Sequence, residues 1–561
     1  IYTGRIKPLE DGTDRYQQIR DYLNKAVAAH QENNILDQFV SYTGEGSYSN
    51  SLTAWRMEQM ILREQLPGVF DRENNARFMR YSMWDYPKEE VIAALQREDL
   101  DMLIFHEHGM PYRQYISATP RTHDPEEYTE FLKREFRSKL RTVADRQGDV
   151  AGQMKKWCGE YHLDTSWFSG AFDPEWIRKD SIADAQLGIV LEDVPSIAPN
   201  ARFVIFDACY NGDFREKDYI AGRYIFSKGK CVVAFANSVN VLQDKSANDL
   251  FGWLGFGTRI GLWARYTNIL ESHIIGDPTY HFANTVDPAL DMNRAIVVSK
   301  KDNAMWYKLL NYPNADVQCM ALRKLYENHA PGLPELLQKT YEASLFGVVR
   351  MECMKLLYQM NSPELVDVLK LAVCDSYELV RRFAVQYIGN LGTDELIPAL
   401  VYALLNENMS ARVNYQARDA IMLMDMDKLT AEIKRQAGAS GHWVNKEEVV
   451  QQLLSLVQRN QNSWQSAAGV ISDLTSSAKD KSFDIVRQRN HPAVGAAELL
   501  IAFVLDSSRD MQLRITTVET LSWYTHSVKR PEIIAACEQL IRANENLQLV
   551  NEAIKTKNRL K

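Results

Sequence analysis

Near residue 295 the hydrophobic pattern of the chain changes period, and one layered core does not accommodate both halves. Before that point short apolar runs at 39–42, 76–81, 102–105, 201–206, 231–235 and 274–275 alternate with helix-like segments at 15–30, 53–64, 88–96 and 246–252. Several runs are apolar without interruption, as strands covered on both faces are. Residues 1–295 are therefore expected to form an α/β domain with a mostly parallel sheet between helices. Ser51 or Thr53 is placed to cap the second helix, and Pro87 to open the third. After residue 295 no strand pattern recurs. Val317-Gln318, Val349-Arg350, Val380-Arg381 and Ala411-Arg412 mark a repeat of about 31 residues, each followed by an apolar helical face. Residues 296–561 are expected to be an all-α solenoid of HEAT-like repeats, interrupted by an irregular stretch near 435–480.

Bulk properties narrow the function classes. A chain of 561 residues is too long for one core. Its net charge of −8 implies no basic, domain-sized surface, so a nucleic-acid partner is not expected. No apolar run approaches the roughly 20 residues of a transmembrane helix. The seven cysteines are scattered without a CxxC pair, so neither a zinc knuckle nor a disulfide framework is expected. The chain begins at Ile1 and is expected to be a processed or trimmed product, so a removed signal peptide stays open.

Two strand-ending stretches carry chemistry: Ile104-Phe105-His106-Glu107-His108-Gly109, and Phe206-Asp207-Ala208-Cys209-Tyr210-Asn211-Gly212-Asp213-Phe214. An ordinary cysteine is only a few per cent thiolate at neutral pH, so a nucleophilic Cys209 needs a base. His108 is the expected base, and then the acid that protonates a leaving amine. The amides of Gly109 and Cys209 are the expected oxyanion donors. The bland alternatives are a buried strand-end thiol and a surface imidazole. His106 and His108 also form an HxH pair, but further ligands are not evident, so no metal site is expected and His106 reads as a supporting residue.

The Ala208–Phe214 segment resembles the nucleophile motif of the gingipain-type cysteine peptidases, relatives of the caspases. Gly4-Arg5-Ile6 resembles that family's opening strand, and Gly44-Glu45-Gly46-Ser47 the loop after its first sheet strand. Ala236-Asn237-Ser238-Val239-Asn240 resembles its substrate wall, and Ile275-Gly276-Asp277-Pro278-Thr279 its closing motif. The resemblance implies a caspase-like three-layer fold and peptide-bond hydrolysis through a thioester, with His108 and Cys209 as the catalytic pair. It implies Glu45 as support for the histidine, and Ser238, Asn240 and Ala54 at the substrate. It further implies no required cofactor, possible structural calcium, and secretion to a periplasm or cell surface.

Departures from the family pattern limit what carries over. Residues 49–55 lack the acid that members cleaving after Arg or Lys place there, leaving Asp213 or Glu216 as substitutes. Residues 110–200 are long for one crossover and read as a helical insertion packed by Trp157, Trp167, Phe168 and Phe172, or as a lid. The solenoid is expected to recruit a substrate or partner protein, with Trp464 or Trp523 as anchors. The alternatives are a catalytically silent scaffold that binds partners, and a transpeptidase or ligase on the same fold.

Overall fold

A computed structural model describes residues 2–46, 49–120, 122–241, 247–267, 269–439 and 444–561. The chain divides into two compact units, Ile1–Met320 and Ala321–Lys561.

The first unit is built on a six-stranded sheet. In chain order its strands are β1 (Phe39–Thr43), β2 (Ala76–Arg80) and β3 (Met102–His106). A small sheet follows, made of β4 (His108–Met110), β5 (Arg113–Tyr115) and β6 (Ile189–Val190). Then β7 (Phe203–Asp207), β8 (Val233–Asn237) and β9 (Ser272–Gly276) complete the large sheet. Its order is β2-β1-β3-β7-β8-β9, parallel throughout except for the antiparallel β8–β9 pair. The small sheet is antiparallel, in the order β4-β5-β6. All six apolar runs identified in the sequence are strands of the large sheet, and residues 4–6 contribute a parallel bridge from Arg5 to Ile275.

The uninterrupted apolar runs bury both faces of the sheet through the two-residue side-chain period. On one face Phe39 meets Phe251, while Phe203 and Phe235 meet Trp263. On the other, Tyr42 packs on Phe105, Phe105 stacks on Phe206, and Phe206 meets Tyr224 edge-on at 5.0 Å. Such aromatic pairs contribute about 0.5–1.5 kcal/mol each beyond their area burial. His106 follows Phe105, and Asp207 follows Phe206. The same alternation therefore turns both polar side chains onto the Phe203 face, toward the helix Leu52–Gln65.

The long connection between β5 and β7 is helical, with helices Pro125–Asp145, Val150–Tyr161 and Pro174–Ala185. It has a small core of its own: Leu140, Phe168 and Ala171, with Phe136, Trp157 and Trp167 packed against them. Phe172, expected among these aromatics, is instead exposed. The expected 246–252 helix is replaced by a 3-10 helix at Phe251–Phe256, and residue 246 lies outside the described residues, as does Ser47. Ser51 holds the expected N-cap position of the second helix with no side-chain cap bond, and Pro87 opens its helix as expected.

The second unit is helical, and no strand occurs among its described residues. Arginines at the repeat marks reach acids one repeat on: Arg350 pairs with Asp375 at 2.6 Å and Arg381 with Glu407 at 2.7 Å. Among its described residues the stretch near 435–480 is helical, not irregular. It contains a 27-residue helix, Lys446–Ser472, preceded by Met426–Ala439 and followed by Ala478–Arg487. Its polar composition hides the period, because only Leu453, Val457, Ala467 and Ile471 of that helix are buried. Trp523 is partly exposed, with the Arg559 guanidinium lying 4.3 Å over its ring, whereas Trp464 is half-buried.

Candidate functional site

Strands β3 and β7 are neighbours, and their register sets His106 opposite Asp207. His108 and Cys209 each lie two residues beyond that pair, so the sheet brings both motifs to one edge, where the strands end. The main chain is tight there. A Cβ on Gly109 would stand 2.6 Å from the Cys209 carbonyl and 2.6 Å from Asn211 Oδ1, so residue 109 has to be glycine. Asn211 Nδ2 ties the two segments by donating to Met110 O at 2.6 Å and Arg113 O at 2.9 Å. Tyr210 turns the chain with a left-handed φ of 57°, a strained conformation for a bulky residue.

The thiol is half-buried, and its Sγ accepts the amide of Val241 at 3.3 Å. Burial pushes the Cys209 thiol above its ordinary pKa. The Val241 amide opposes this and the Asp207 charge adds to it. His108 Nε2 is 2.8 Å from Ser49 Oγ, and the ring meets Trp55 edge-on at 5.4 Å. Ser49 was not among the residues expected from the sequence, because nothing in a serine-rich loop marks which hydroxyl will face a histidine.

Glu45, expected to support His108, has one carboxylate oxygen engaged at the turn after β5. Its Oε2 accepts the amides of Ala118 and Thr119, both at 3.1 Å, and Thr119 Oγ1 at 3.0 Å. Those three bonds fix the turn after β5, which is what a carboxylate facing two free amides does. Ala54 is buried in the first turn of the helix Leu52–Gln65. Ser238 Oγ lies 2.8 Å from His273 Nε2, and Asn240 is exposed. Asp213 does not offer a free acid to a cationic substrate. Arg215 holds it through Nε and Nη2, both at 2.7 Å, and keeps its carboxyl below the usual range. Glu216 is exposed, and its carbonyl accepts Lys7 Nζ at 2.6 Å.

Two buried polar groups lie behind the pair. His106 is fully buried, with Nδ1 2.9 Å from Asp207 Oδ2 and 3.4 Å from Glu58 Oε2. Burial works against its charged form, but the bond to Asp207 and the charge of Glu58 outweigh it and raise its pKa. The donor atoms of these three residues lie within 4.8 Å of one another, a spacing that also suits a small cation. A protonated imidazole would donate its Nδ1–H to Asp207 and offset the Glu58 charge without one. Glu107, on the opposite face, is pushed up to about 8 by burial, opposed by the bond from Gln114 Nε2 at 2.7 Å and reinforced by Asp207. Gln114 Oε1 in turn accepts Tyr224 OH at 2.6 Å. The sequence does hold a sign of Glu58, a carboxylate on the buried face shared by Trp55 and Leu62.

No family model matches the chain, and no curated protein matches it. Among solved structures it is similar to human deoxyhypusine hydroxylase in complex with glycerol, at 15% identity over 48% of this chain and 99% of that one, TM-score 0.18. It is similar to the complex of CpcE and CpcF of phycocyanin lyase from Nostoc sp. PCC7120, at 14% identity over 41% and 94%, TM-score 0.20. A third is an engineered protein, at 16% identity over 46% and 78%, TM-score 0.21. None of the three is named as a cysteine peptidase. The resemblance to gingipain-type peptidases drawn from the strand-end motifs is corrected accordingly: the chain is not assigned to that family, and the description as a thiol protease that came with it is withdrawn.

Proposed function

We propose that this chain is a protein-interaction molecule in which the helical unit binds a protein partner and the α/β unit carries a cysteine–histidine site that is silent as it stands. The state of Cys209 supports this most directly. Burial and the Asp207 charge push its pKa up, against the Val241 amide, while His108 Nε2 lies 2.8 Å from Ser49 Oγ. Stacked helix pairs offer the extended surface that protein partners use. No helix among the described residues is long and apolar enough to cross a membrane.

A second reading rests on the placement of His108 and Cys209 at neighbouring strand ends. It is a cysteine-type hydrolase of peptide bonds. The Cys209 proton passes to His108, the thiolate adds to the carbonyl, and the C–N bond breaks as His108 returns the proton to the amine. The resulting thioester is cleaved by water, which gives a proton to His108 and restores the thiol. The amides of Gly109 and Cys209 would face the developing oxyanion. An amine in place of water would make the site a transpeptidase. This chemistry needs no cofactor. Structural calcium and a location outside the cytoplasm belong to the same proposal, tested by a calcium-dependent Tm and by cell fractionation.

Incubation of the intact chain and its Cys209→Ala variant with a diverse peptide library, read by mass spectrometry, separates the readings. Equal, absent cleavage by both supports the silent site, and cleavage by the intact chain alone establishes the second reading. Cross-linking of the intact chain to its partners should map to residues within 321–561, and cross-links confined to the first unit would refute a binding role for the helices.

A further inference from the structure

Three helices separate Leu423 from Val494 in sequence, yet the two residues are neighbours: the Val494 amide donates to Leu423 O at 3.1 Å. The start of the helix Val494–Leu505 thus sits against the turn that follows the helix Ala411–Ile421. It also meets the turn after Glu378–Leu391, where a Cβ on Gly392 would stand 2.3 Å from Val494 Cγ1. Between these points the chain bounds a cleft of about 800 Å³. Its lining comes from the turns at 392–395 and 422–428, the 460–467 stretch of the long helix Lys446–Ser472, and positions between 484 and 498. Pockets of about 300–1,000 Å³ enclose most of a small ligand, and a peptide of a few residues has that bulk.

The apolar lining includes Met422, Met424, Met426 and the half-buried Trp464. Methionines adapt their shape to an occupant. The fully buried Trp253, Trp263 and Trp306 each donate Nε1–H to a carbonyl, whereas Trp464 Nε1 has no acceptor among the described residues. The charged lining is unbalanced, with six acids against three bases and one histidine. Two of the bases are engaged: Lys428 pairs with Asp394, and Lys529 lies 2.9 Å from Glu498. Arg487, the third, is exposed, its guanidinium 5.9 Å over the Phe483 ring. No cation pairs with Asp484 or Asp427 among the described residues, and Asp427 accepts only Gln461 Nε2, at 2.9 Å. A cleft with an excess of one sign concentrates the opposite charge and repels its own. We propose that this cleft docks an extended segment of a protein partner in which lysine or arginine stands beside an apolar side chain. The apolar side chain lies against the methionines and Trp464, the cation meets Asp484 and Asp427, and a peptide carbonyl accepts Trp464 Nε1–H. The inference rests on the helical unit binding a protein partner.

The test is fluorescence anisotropy with the intact chain and a set of short peptides carrying a neutral dye. In one series lysine or arginine alternates with leucine or methionine, and in the other glutamate replaces each cation. The cationic series should bind, more weakly as salt rises, and the glutamate series should not. Asp427→Asn and Asp484→Asn together should weaken binding by roughly tenfold, since both keep the side-chain shape and remove only charge. Glu335→Gln with Glu342→Gln removes two exposed acids of the helix Leu333–Ala343, outside the cleft, and should leave affinity unchanged. That control separates the cleft from the acidity of the chain as a whole. Equal affinity for the two series, binding by neither, or an equal loss in both double variants overturns the proposal. Cross-links from a partner separate this failure from failure of the binding role. Cross-links within 321–561 but away from the cleft overturn the cleft and leave the role standing, whereas cross-links confined to the first unit overturn both.

Discussion

His108 Nε2 and Ser49 Oγ lie 2.8 Å apart, and Ser49 Oγ is also 2.7 Å from Ser51 Oγ and 3.2 Å from Gly46 O. The imidazole is thus engaged by a hydroxyl on one of its two ring nitrogens. A neutral hydrogen bond is worth about 1 kcal/mol net, which corresponds to roughly a fivefold population shift. Ser49→Ala should therefore raise the alkylation rate of Cys209 at pH 7.5 by about three- to tenfold. A rate equal to or below that of the unmodified protein would show that Ser49 does not restrain the pair.

Glu107 gives the first unit a pH dependence opposite to that of a salt-bridged acid. Burial pushes its pKa up to about 8 from an ordinary 4.5, so the folded state holds the proton more tightly than the unfolded chain. Its contribution to stability is then fully present below pH 4.5 and is lost as pH rises through 8. Glu107→Gln keeps an acceptor for Gln114 and cannot ionise. Its Tm should fall less between pH 5 and 9 than that of the parent, the difference corresponding to a few kcal/mol on an order-of-magnitude scale. Parallel Tm curves would mean that Glu107 is already relieved of its penalty.

Much of this arrangement is legible in the sequence, and the limits have physical causes. The six strands of the main sheet announce themselves because burial on both faces forces continuous apolar runs, such as Phe203-Val204-Ile205-Phe206. His108 and Cys209 are visible because glycine follows closely where the chain must approach itself, as the Gly109 contact with the Cys209 carbonyl shows. Ser49 and Glu45 were not legible in the same way. Both lie in a loop, and which donor each meets depends on strand register and on the turn after β5, not on local spacing. The strands β4, β5 and β6 are two or three residues long and carry no period. The motif resemblance was persuasive because it gathered the same strand ends that the structure brings together, yet shared strand ends are a property of folding and do not assign a family.

The helical connection between β5 and β7 depends on one carboxylate. Asp180 accepts Arg137 Nη2 at 2.6 Å and Nε at 3.0 Å, and Arg141 Nη1 at 3.0 Å, which hold its carboxyl below the usual range against the effect of burial. Removing it takes from the nearly buried Arg137 its bidentate partner and leaves it the Glu130 carboxylate at 2.8 Å, a loss of about 3 kcal/mol at most. Asp180→Ala should make residues 125–185 markedly more sensitive to limited proteolysis while leaving alkylation of Cys209 unchanged. If alkylation accelerates together with proteolysis, the insertion acts as a lid over the thiol.

In the helical unit the stability argument runs in the other direction of pH. His526 stacks on Tyr358 at 3.7 Å, Tyr358 stacks on Tyr387 at 3.7 Å, and His526 Nδ1 is 2.7 Å from Asn361 Oδ1. Asn390 Nδ2 donates to Tyr358 OH at 2.8 Å, and the amide of Val528 donates to Leu391 O at 2.8 Å, so the 522–528 loop is pinned across helices distant in sequence. Burial and the nearby Arg530 lower the pKa of His526 to about 4, although the Tyr358 backbone opposes them. The folded value lies below the ordinary 6.5, so this contribution is fully present above pH 6.5 and lost as pH falls through 4. His526→Phe keeps the stack and gives up only the Asn361 bond, costing about 1 kcal/mol or less at pH 7.5. It should then lose less stability than the parent between pH 6.5 and 4, in thermal unfolding followed by fluorescence. Because Glu107 gains on acidification where His526 loses, the two variants displace the pH profile in opposite senses. Identical acid slopes for parent and His526→Phe would show that the ring is already protonated within its stack.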